Sequence, residues 1–373
     1  PHQSSAASDV YKRQAIYFAM CASLQAQNTQ TIKVMSYNLL NFPNANNTIV
    51  SGNDASRIVY FREIVEAAAV DIIIIQELTS DAGATMLVDE LNNNGTTGKT
   101  YARASVYTGH GSFGRLGNML IYNADIFNFI SQAELPRNNT VSYNGNTIRS
   151  PRTNSYYELE AYNIDCTATI PLHIFGLHLK AGQGDANATE IADKDRRNLG
   201  ALDLMDFVNT LPANSNIIAG GDFNFYSTTD EPAYTNILST TNVNPFIDVL
   251  NGWTRNIAAD ATKYTQSPRA GAIGNLHGNS GTSGGLDDRF DFLFMSDDIQ
   301  NNTNNVSYIA NSYETFGSAN IWNGDVTDGN SPVKMQLQAM SDHLPVVMEL
   351  ELTFPEASCN TVVTACNANC GNF

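Results

Sequence analysis

Basic side chains are scarce in this chain: 20 lysines and arginines stand against 37 aspartates and glutamates, a formal net charge of −17 over 373 residues. That balance excludes a protein that grips nucleic acid through a non-specific basic surface, and it favours solubility. A polyanionic substrate stays open, because a bound divalent cation inverts the local sign. Missing too is any apolar run long enough to form a membrane-spanning helix. No internal repeat at solenoid periods is found. The spacing of the five cysteines matches no zinc-ligand pattern.

What is present is 42% hydrophobic residues, enough for a large core in one unit. The few cations are also unevenly spread. From Lys99 to Arg152, six of them (Lys99, Arg103, Arg115, Arg137, Arg149 and Arg152) face only Asp125 and Glu134, a local excess of +4. Such an excess suits a phosphate-facing surface as well as it suits ordinary scatter.

The two ends differ from the middle. Residues 1–14 are a low-information polar leader, set aside for fold reasoning. Residues 15–27 (AIYFAMCASLQAQ) have the short apolar stretch and small residues of a secretory signal remnant, with Leu24-Gln25-Ala26 as its cleavage site. The expectation is export, to the periplasm or the medium. Cleavage would remove Cys21 and leave Cys166, Cys359, Cys366 and Cys370, an even set suited to disulfides in an oxidising compartment. Their pairing stays open. One domain is expected over residues 28–354, followed by a cysteine-containing tail or linker start over 355–373.

Within that domain, residues 31–40 alternate as a strand does, and residues 41–56 are Asn/Gly-rich loop. Ile58, Phe61, Ile64, Val65 and Ala68 share one face of a helix over 57–69, with Ser56 as its N-cap. Ile72 to Ile75 are apolar on both faces, the mark of a central strand. A short helix is expected over 86–91, with a loop over 92–98. Strands are expected over 118–122, 156–161, 172–179, 217–219, 290–295 and 346–352, a helix over 188–208, and a glycine-rich loop over 271–285. Strands and helices intermingle without strict alternation, which predicts mixed sheets packed face to face with helices outside.

Five polar stations stand where apolar runs end: Asn38, Gln76-Glu77, His178, Asp222 with Asn224, and Asp342-His343. A polar group at the tip of a buried strand costs desolvation unless it is paired, so five in order predict one shared cleft. Glu77 suits a hard cation, which takes a few carboxylate oxygens plus water and phosphate oxygens. The Gly220-Gly221-Asp222-Phe223-Asn224 turn places Asp222 to orient or deprotonate a water. Asn224 is placed to donate to a phosphate oxygen, and an Asx turn is the plainer alternative. Asp291, set among aromatics, is the expected partner of His343, fixing its tautomer and raising its pKa. Asp342 is then free for a metal or a water. His178 is a candidate donor to the phosphorane or leaving oxygen, and Arg149 a bidentate phosphate clamp. His110, His173 and His277 read as structural or loop residues.

These stations, in this order, resemble the endonuclease/exonuclease/phosphatase superfamily, which includes pancreatic-type deoxyribonuclease, abasic-site endonucleases and neutral sphingomyelinases. The resemblance spans residues 32–352. It implies a four-layer α/β/β/α sandwich of two packed mixed β-sheets flanked by helices, and Mg²⁺-dependent phosphoester hydrolysis, with Mn²⁺ or Ca²⁺ as alternatives. By motif it makes Asn38, Glu77 and Asp342 metal-site residues. His178, Asp222, Asn224, Asp291 and His343 become catalytic, and Arg149, in R-x-P, a neighbour of substrate phosphate. The strings GDFNFYSTTDEPAY and GTSGGLDDRFDFLF are similar to secreted bacterial extracellular nucleases. The implied function is a secreted phosphodiesterase, a monomer without a stable protein partner, acting on nucleic acid. A sphingomyelinase-like or other phosphoesterase is the nearest alternative, and a non-catalytic secreted binding module the distant one. Two departures stand out: no acid near residues 114–118 matches the glutamate that buttresses the first histidine in pancreatic-type deoxyribonucleases, and residues 152–156 are more polar than the usual strand.

Overall fold

The computed structural model describes residues 28–43, 51–105, 107–108, 116–229, 231–271 and 282–358. The leader, the signal-like segment and the tail beyond Ser358 lie outside the described residues, as do His110, Arg115 and His277.

The chain opens with strand β1 (Thr29–Phe42), helix α1 (Ser51–Ala68), β2 (Ile72–Leu78) and helix α2 (Asp81–Asn94). Next come β3 (Tyr101–Arg103), β4 (Tyr107–Thr108), β5 (Gly117–Asn123), β6 (Phe127–Glu134), β7 (Thr140–Tyr143), β8 (Asn146–Arg149) and β9 (Ser155–Ala161). β10 (Ile170–His178), α3 (Asp193–Val208), β11 (Ile217–Asp222), α4 (Pro232–Ile237), β12 (Phe246–Ile247) and β13 (Asp291–Ser296) follow. The rest is α5 (Asp297–Asn301), β14 (Val306–Tyr308), β15 (Glu314–Thr315), α6 (Lys334–Met340) and β16 (Val346–Thr353).

An eight-stranded sheet runs β14-β16-β1-β2-β5-β3 with β15 on β16 and β4 on β5, and a six-stranded sheet runs β12-β13-β11-β10-β9-β6. Each is mixed: β1–β2 and β10–β11 are parallel, while β1–β16, β9–β10 and β11–β13 are antiparallel. The isoleucine run explains the layering. Ile72 and Ile74 pack with Leu159, Leu172, Ile174 and Ile218 in the core between the sheets. Ile73 and Ile75 join Phe61, Ile64 and Val65 of α1 on the other face. Burying both faces of one strand requires a sheet on one side and helices on the other, hence the sandwich.

Three local expectations are corrected. The first helix begins at Ser51, so Ser56 lies within it; residues 51–56 hold no proline to bar a helix. The second spans Asp81–Asn94, well beyond 86–91, because Ser80 caps it by accepting from Gly83 N at 3.1 Å. The third begins at Asp193, five residues past the expected start.

The two sheets approach closely at one end. A Cβ on Gly220 would lie 2.6 Å from Ile74 Cδ1 and 2.9 Å from Leu293 Cδ2, so a larger residue there would have to push these side-chain ends aside. That end carries the polar stations.

Candidate active site

Sheet register lines up one row of the site. His178 faces Asp222 across β10–β11, and Asp222 faces Asp291 across β11–β13. From the other sheet, β1 and β2 deliver Asn38 and Glu77. The register of β2 slips after Ile75, and Glu77 takes a left-handed φ of 63° that breaks the strand alternation and turns its carboxylate into the cleft. Asn224 is also left-handed, at φ 52°.

The side chains interlock. Asn38 Nδ2 donates to Glu77 Oε1 at 3.2 Å and to Asp222 Oδ2 at 3.0 Å, tying the sheets together. Asn41 N donates to Glu77 Oε2 at 2.9 Å. His178 Nε2 lies 3.3 Å from Asp222 Oδ2 and 3.6 Å from Glu77 Oε1. His343 Nδ1 donates to Asp291 Oδ2 at 2.7 Å, while its Nε2 lies 3.8 Å from Asp222 Oδ2. Asn224 N donates to Asp222 Oδ1 at 3.0 Å, and the Asn224 amide donates to Leu179 O at 3.2 Å, so one of its hydrogens is spent on the backbone.

Charge states follow from these contacts. Burial opposes ionisation of Asp222, but His343, His178 and Arg152 together bring its pKa down to about 2. Such a carboxylate orients a water well and is by itself a weak base. Burial and the nearby Arg152 guanidinium lower the His178 pKa, against the pull of Asp222 and Glu77. Neutral His178 then has one N–H, directed from Nε2 towards the carboxylates. Its Nδ1 is buried and without a hydrogen-bond partner among the described residues, which fits the missing buttressing acid. For His343 burial alone would lower the pKa, but the charges of Asp291 and Asp222 and the Asp291 hydrogen bond raise it well above the usual imidazole value.

Two predicted residues stand apart. Arg149 is exposed at the end of the β7–β8 hairpin and does not enter the cluster. The guanidinium that does is Arg152, three residues on: it donates to Leu179 O and feels the charges of Glu77 and Asp222. Asp342 is buried, but its Oδ2 accepts from Thr282 N at 2.7 Å and it is in neither ligand set described below.

Three supporting residues escaped the sequence reading. Arg57, fully buried, donates to Leu39 O, to Leu40 O at 3.1 Å and to Met340 O at 3.0 Å, clamping the tip of β1 against α6. Ser341 Oγ donates to Asn38 O at 2.7 Å. The Gln266 side-chain amide lies 2.8 Å from His343 Nε2, where a charged imidazole requires the amide oxygen as its acceptor. The first has a readable signal, a lone arginine on an otherwise apolar helix face; Ser341 directly precedes the Asp342-His343 station, and Gln266 has no signal.

Two triads could hold a cation, each with its ligand atoms within 4.8 Å of one another: Glu77, His178 and Asp222, and Asp222, Asp291 and His343. The second is accounted for by the His343–Asp291 hydrogen bond. Of the first, Glu77 and Asp222 supply hard carboxylate oxygens from both sheets that fit a divalent oxygen-seeking ion, while His178 turns its N–H towards them.

A profile of the Endonuclease/Exonuclease/phosphatase family matches residues 35–343. Comparison with curated protein sequences yields no match. Among solved structures, the human Nocturnin catalytic domain with bound sulfate is similar at 16% identity and TM-score 0.54, covering 88% of this chain and 96% of that one. An endonuclease/exonuclease/phosphatase from Bacteroides vulgatus is similar at 15% identity and TM-score 0.53, covering 87% and 99%. A family protein from Bacteroides thetaiotaomicron gives 16% identity and TM-score 0.51, covering 87% and 98%. With the four-layer sandwich and the matched span, the chain belongs to the endonuclease/exonuclease/phosphatase family, whose members are phosphoesterases typically dependent on a divalent metal.

Proposed function

We propose that this chain is an exported, divalent-metal-dependent phosphodiesterase, an extracellular nuclease that cleaves DNA or RNA. One observation carries the hydrolytic reading: Glu77, Asp222, His178 and His343 come from two sheets and four strand ends, yet His178 Nε2 lies 3.3 Å from Asp222 and 3.6 Å from Glu77, and His343 Nε2 lies 3.8 Å from the same Asp222 oxygen.

Glu77, with Asp222 and Asn38 beside it, would hold the divalent cation (Mg²⁺, Mn²⁺ or Ca²⁺), which supplies Lewis acidity towards a phosphate oxygen. Asp222 accepts a hydrogen bond from the attacking water and aims it at phosphorus. As the P–O bond to the leaving group lengthens, charge builds on the non-bridging oxygens. His343, held charged by Asp291, offers its Nε2–H to that charge, and Arg152 adds a fixed cation on the opposite flank. His178, with its N–H at Nε2, exchanges its hold on Asp222 for the leaving oxygen or a phosphoryl oxygen.

The exported location is supported by the signal-like residues 15–27 and by Cys166, which is disulfide-bonded. Among the described residues no helix is long and apolar enough to cross a membrane. A second reading, a phospholipid diesterase, draws on two exposed apolar side chains, Ile321 at 46% and Trp322 at 43%.

The test is a substrate panel of duplex DNA, RNA, sphingomyelin vesicles and p-nitrophenyl phosphate, each with and without chelator. The expected result is chelator-sensitive cleavage of a polynucleotide, lost in His343→Ala. Hydrolysis of p-nitrophenyl phosphate or sphingomyelin with no polynucleotide cleaved would overturn the nuclease assignment.

A further inference from the structure

Beside the hydrolytic cleft lies a pile of rings and guanidinium groups that the proposed chemistry does not use. Tyr226, two residues past Asn224, receives Gly182 N on its hydroxyl at 3.2 Å. Phe290 meets its ring at 4.8 Å with the planes 62° apart. Two guanidinium groups lie over the ring: Arg197 Cζ at 5.1 Å from the centroid and Arg255 Cζ at 5.2 Å. Arg197 is interior, paired with Glu231 at 2.9 Å. Arg255 is at the rim, its side chain 38% exposed.

Arg255 is held flat. Its Nε and Nη2 fork onto the Asp288 carboxylate, the Nη2 bond being 2.8 Å, and Nη1 donates to Gln183 Oε1 at 3.1 Å. The pile joins the cleft on two sides. Gly182 and Tyr226 follow His178 and Asn224 along the chain. Asp288 O accepts from the backbone of Gln266, whose amide touches His343.

We propose that the Arg255 guanidinium, backed by Tyr226, is a stacking platform for a nucleobase next to the scissile phosphate. The inference rests on the proposed phosphodiester hydrolysis and narrows its substrate to nucleotides. Three features favour a base over other ligands. A guanidinium already forked onto a carboxylate has lost most of its pull on a phosphate, but its face remains planar and polarizable. Its geometry is fixed before substrate arrives, so stacking costs little ordering. Guanidinium groups over the tyrosine ring occupy the face a quaternary ammonium would need, which disfavours a phosphocholine headgroup.

The test uses the full chain with a defined oligonucleotide and the same oligonucleotide carrying tetrahydrofuran abasic residues at the cleavage site. Wild type is expected to prefer the base-bearing substrate by about tenfold in kcat/KM, the size of one base–side-chain stack. Arg255→Ala and Arg255→Lys both bring that ratio near one; the lysine variant keeps a charge for Asp288 and guards against simple misfolding. In saturation-transfer NMR, adenosine contacts wild type and not Arg255→Ala. A ratio unchanged in both variants, or both substrates losing equally, overturns the platform, the second outcome marking Arg255 as a phosphate or structural group. If neither oligonucleotide is cleaved while adenosine contact still depends on Arg255, the platform stands and the hydrolytic reading falls.

Discussion

Replacing Asp291 by asparagine isolates the charge that prepares His343. The carboxylate is fully buried on β13 and accepts from His343 Nδ1 at 2.7 Å. Asparagine has nearly the same volume, so Phe292, Phe294 and Thr265 keep their places and the fold persists. What changes is the field: the charge that outweighs burial and raises the His343 pKa is gone. Nε2–H then stands as a neutral donor where an imidazolium met the developing phosphorane charge. Loss of one such preorganised electrostatic contact costs roughly 2.7–4 kcal/mol, or about 10²–10³ in kcat. The pH dependence has a definite sign. With the His343 pKa raised, the alkaline limb of wild-type kcat/KM lies above the ordinary imidazole value of about 6.5; in Asp291→Asn that limb moves to lower pH. Stability follows the same linkage: a raised pKa contributes stability fully present below the unfolded value and lost as pH rises through the folded one. The melting advantage of wild type from this source therefore shrinks in alkali. The assay is steady-state cleavage of a defined oligonucleotide with Mg²⁺ across neutral pH, alongside thermal melts. A variant with wild-type kcat/KM and an unmoved alkaline limb would refute the charge argument.

Arg152→Gln keeps a donor for Leu179 O but removes the charge that faces Glu77 and Asp222. A lost charge-assisted contact of roughly 1.5–3 kcal/mol predicts kcat/KM about 10- to 100-fold lower with little change in melting; equal activity in the two proteins would return Arg152 to a structural role. Asp248→Ala tests the buried ion pair under the site, where Arg289 forks onto Asp248 at 2.8 Å and 2.8 Å with Phe292 against its guanidinium at 4.2 Å. Stranding that guanidinium costs about 3–5 kcal/mol, a drop of roughly 4–7 °C in melting for a domain of this size. Burial opposes ionisation of Asp248, yet Arg289 holds its pKa below the usual carboxylate value. The pair's contribution is therefore present above the unfolded pKa of about 3.9 and lost as pH falls through the folded one, so the gap between variant and wild type closes in acid. Calorimetry showing equal melting of the two proteins at neutral pH would sink this assignment.

The stations were legible because each sets a polar side chain against a run that burial requires to be apolar. Asn38, Glu77, His178, Asp222 and His343 all announce themselves by that contrast, and so does the β1-α1-β2 opening. Loop residues have no such contrast. Gln266 sits in a polar stretch where nothing distinguishes it from its neighbours, and its contact with His343 exists only because an isolated bridge, Gln266 to Asp288, brings two distant loops together. Asp342 is a different case: its place before His343 suggests a ligand, and in the structure its Oδ2 accepts from the backbone of Thr282.

The exchange of Arg149 for Arg152 shows why the rest was hidden. Residues 152–156 looked too polar for a strand beside the core, and an arginine within R-x-P looked like the clamp. The structure resolves both through hydrogen bonding. Ser150, Thr153 and Asn154 are buried at 1%, 5% and 2% exposure, and Asn154 Nδ2 donates to Gly200 O at 2.8 Å, docking the turn onto α3. Asn118 Nδ2 donates to Thr153 O at 3.4 Å from the first sheet. A turn pinned by its own polar side chains is pulled inward as firmly as an apolar one, because each group gives up water only for a partner. Arg149, at the end of the exposed hairpin, remains outside; Arg152, on the pinned turn, is carried to the carboxylates. Polarity along a sequence measures what a segment must satisfy and leaves open where, which is why tips of apolar strands can be read from sequence and the turns that complete the site cannot.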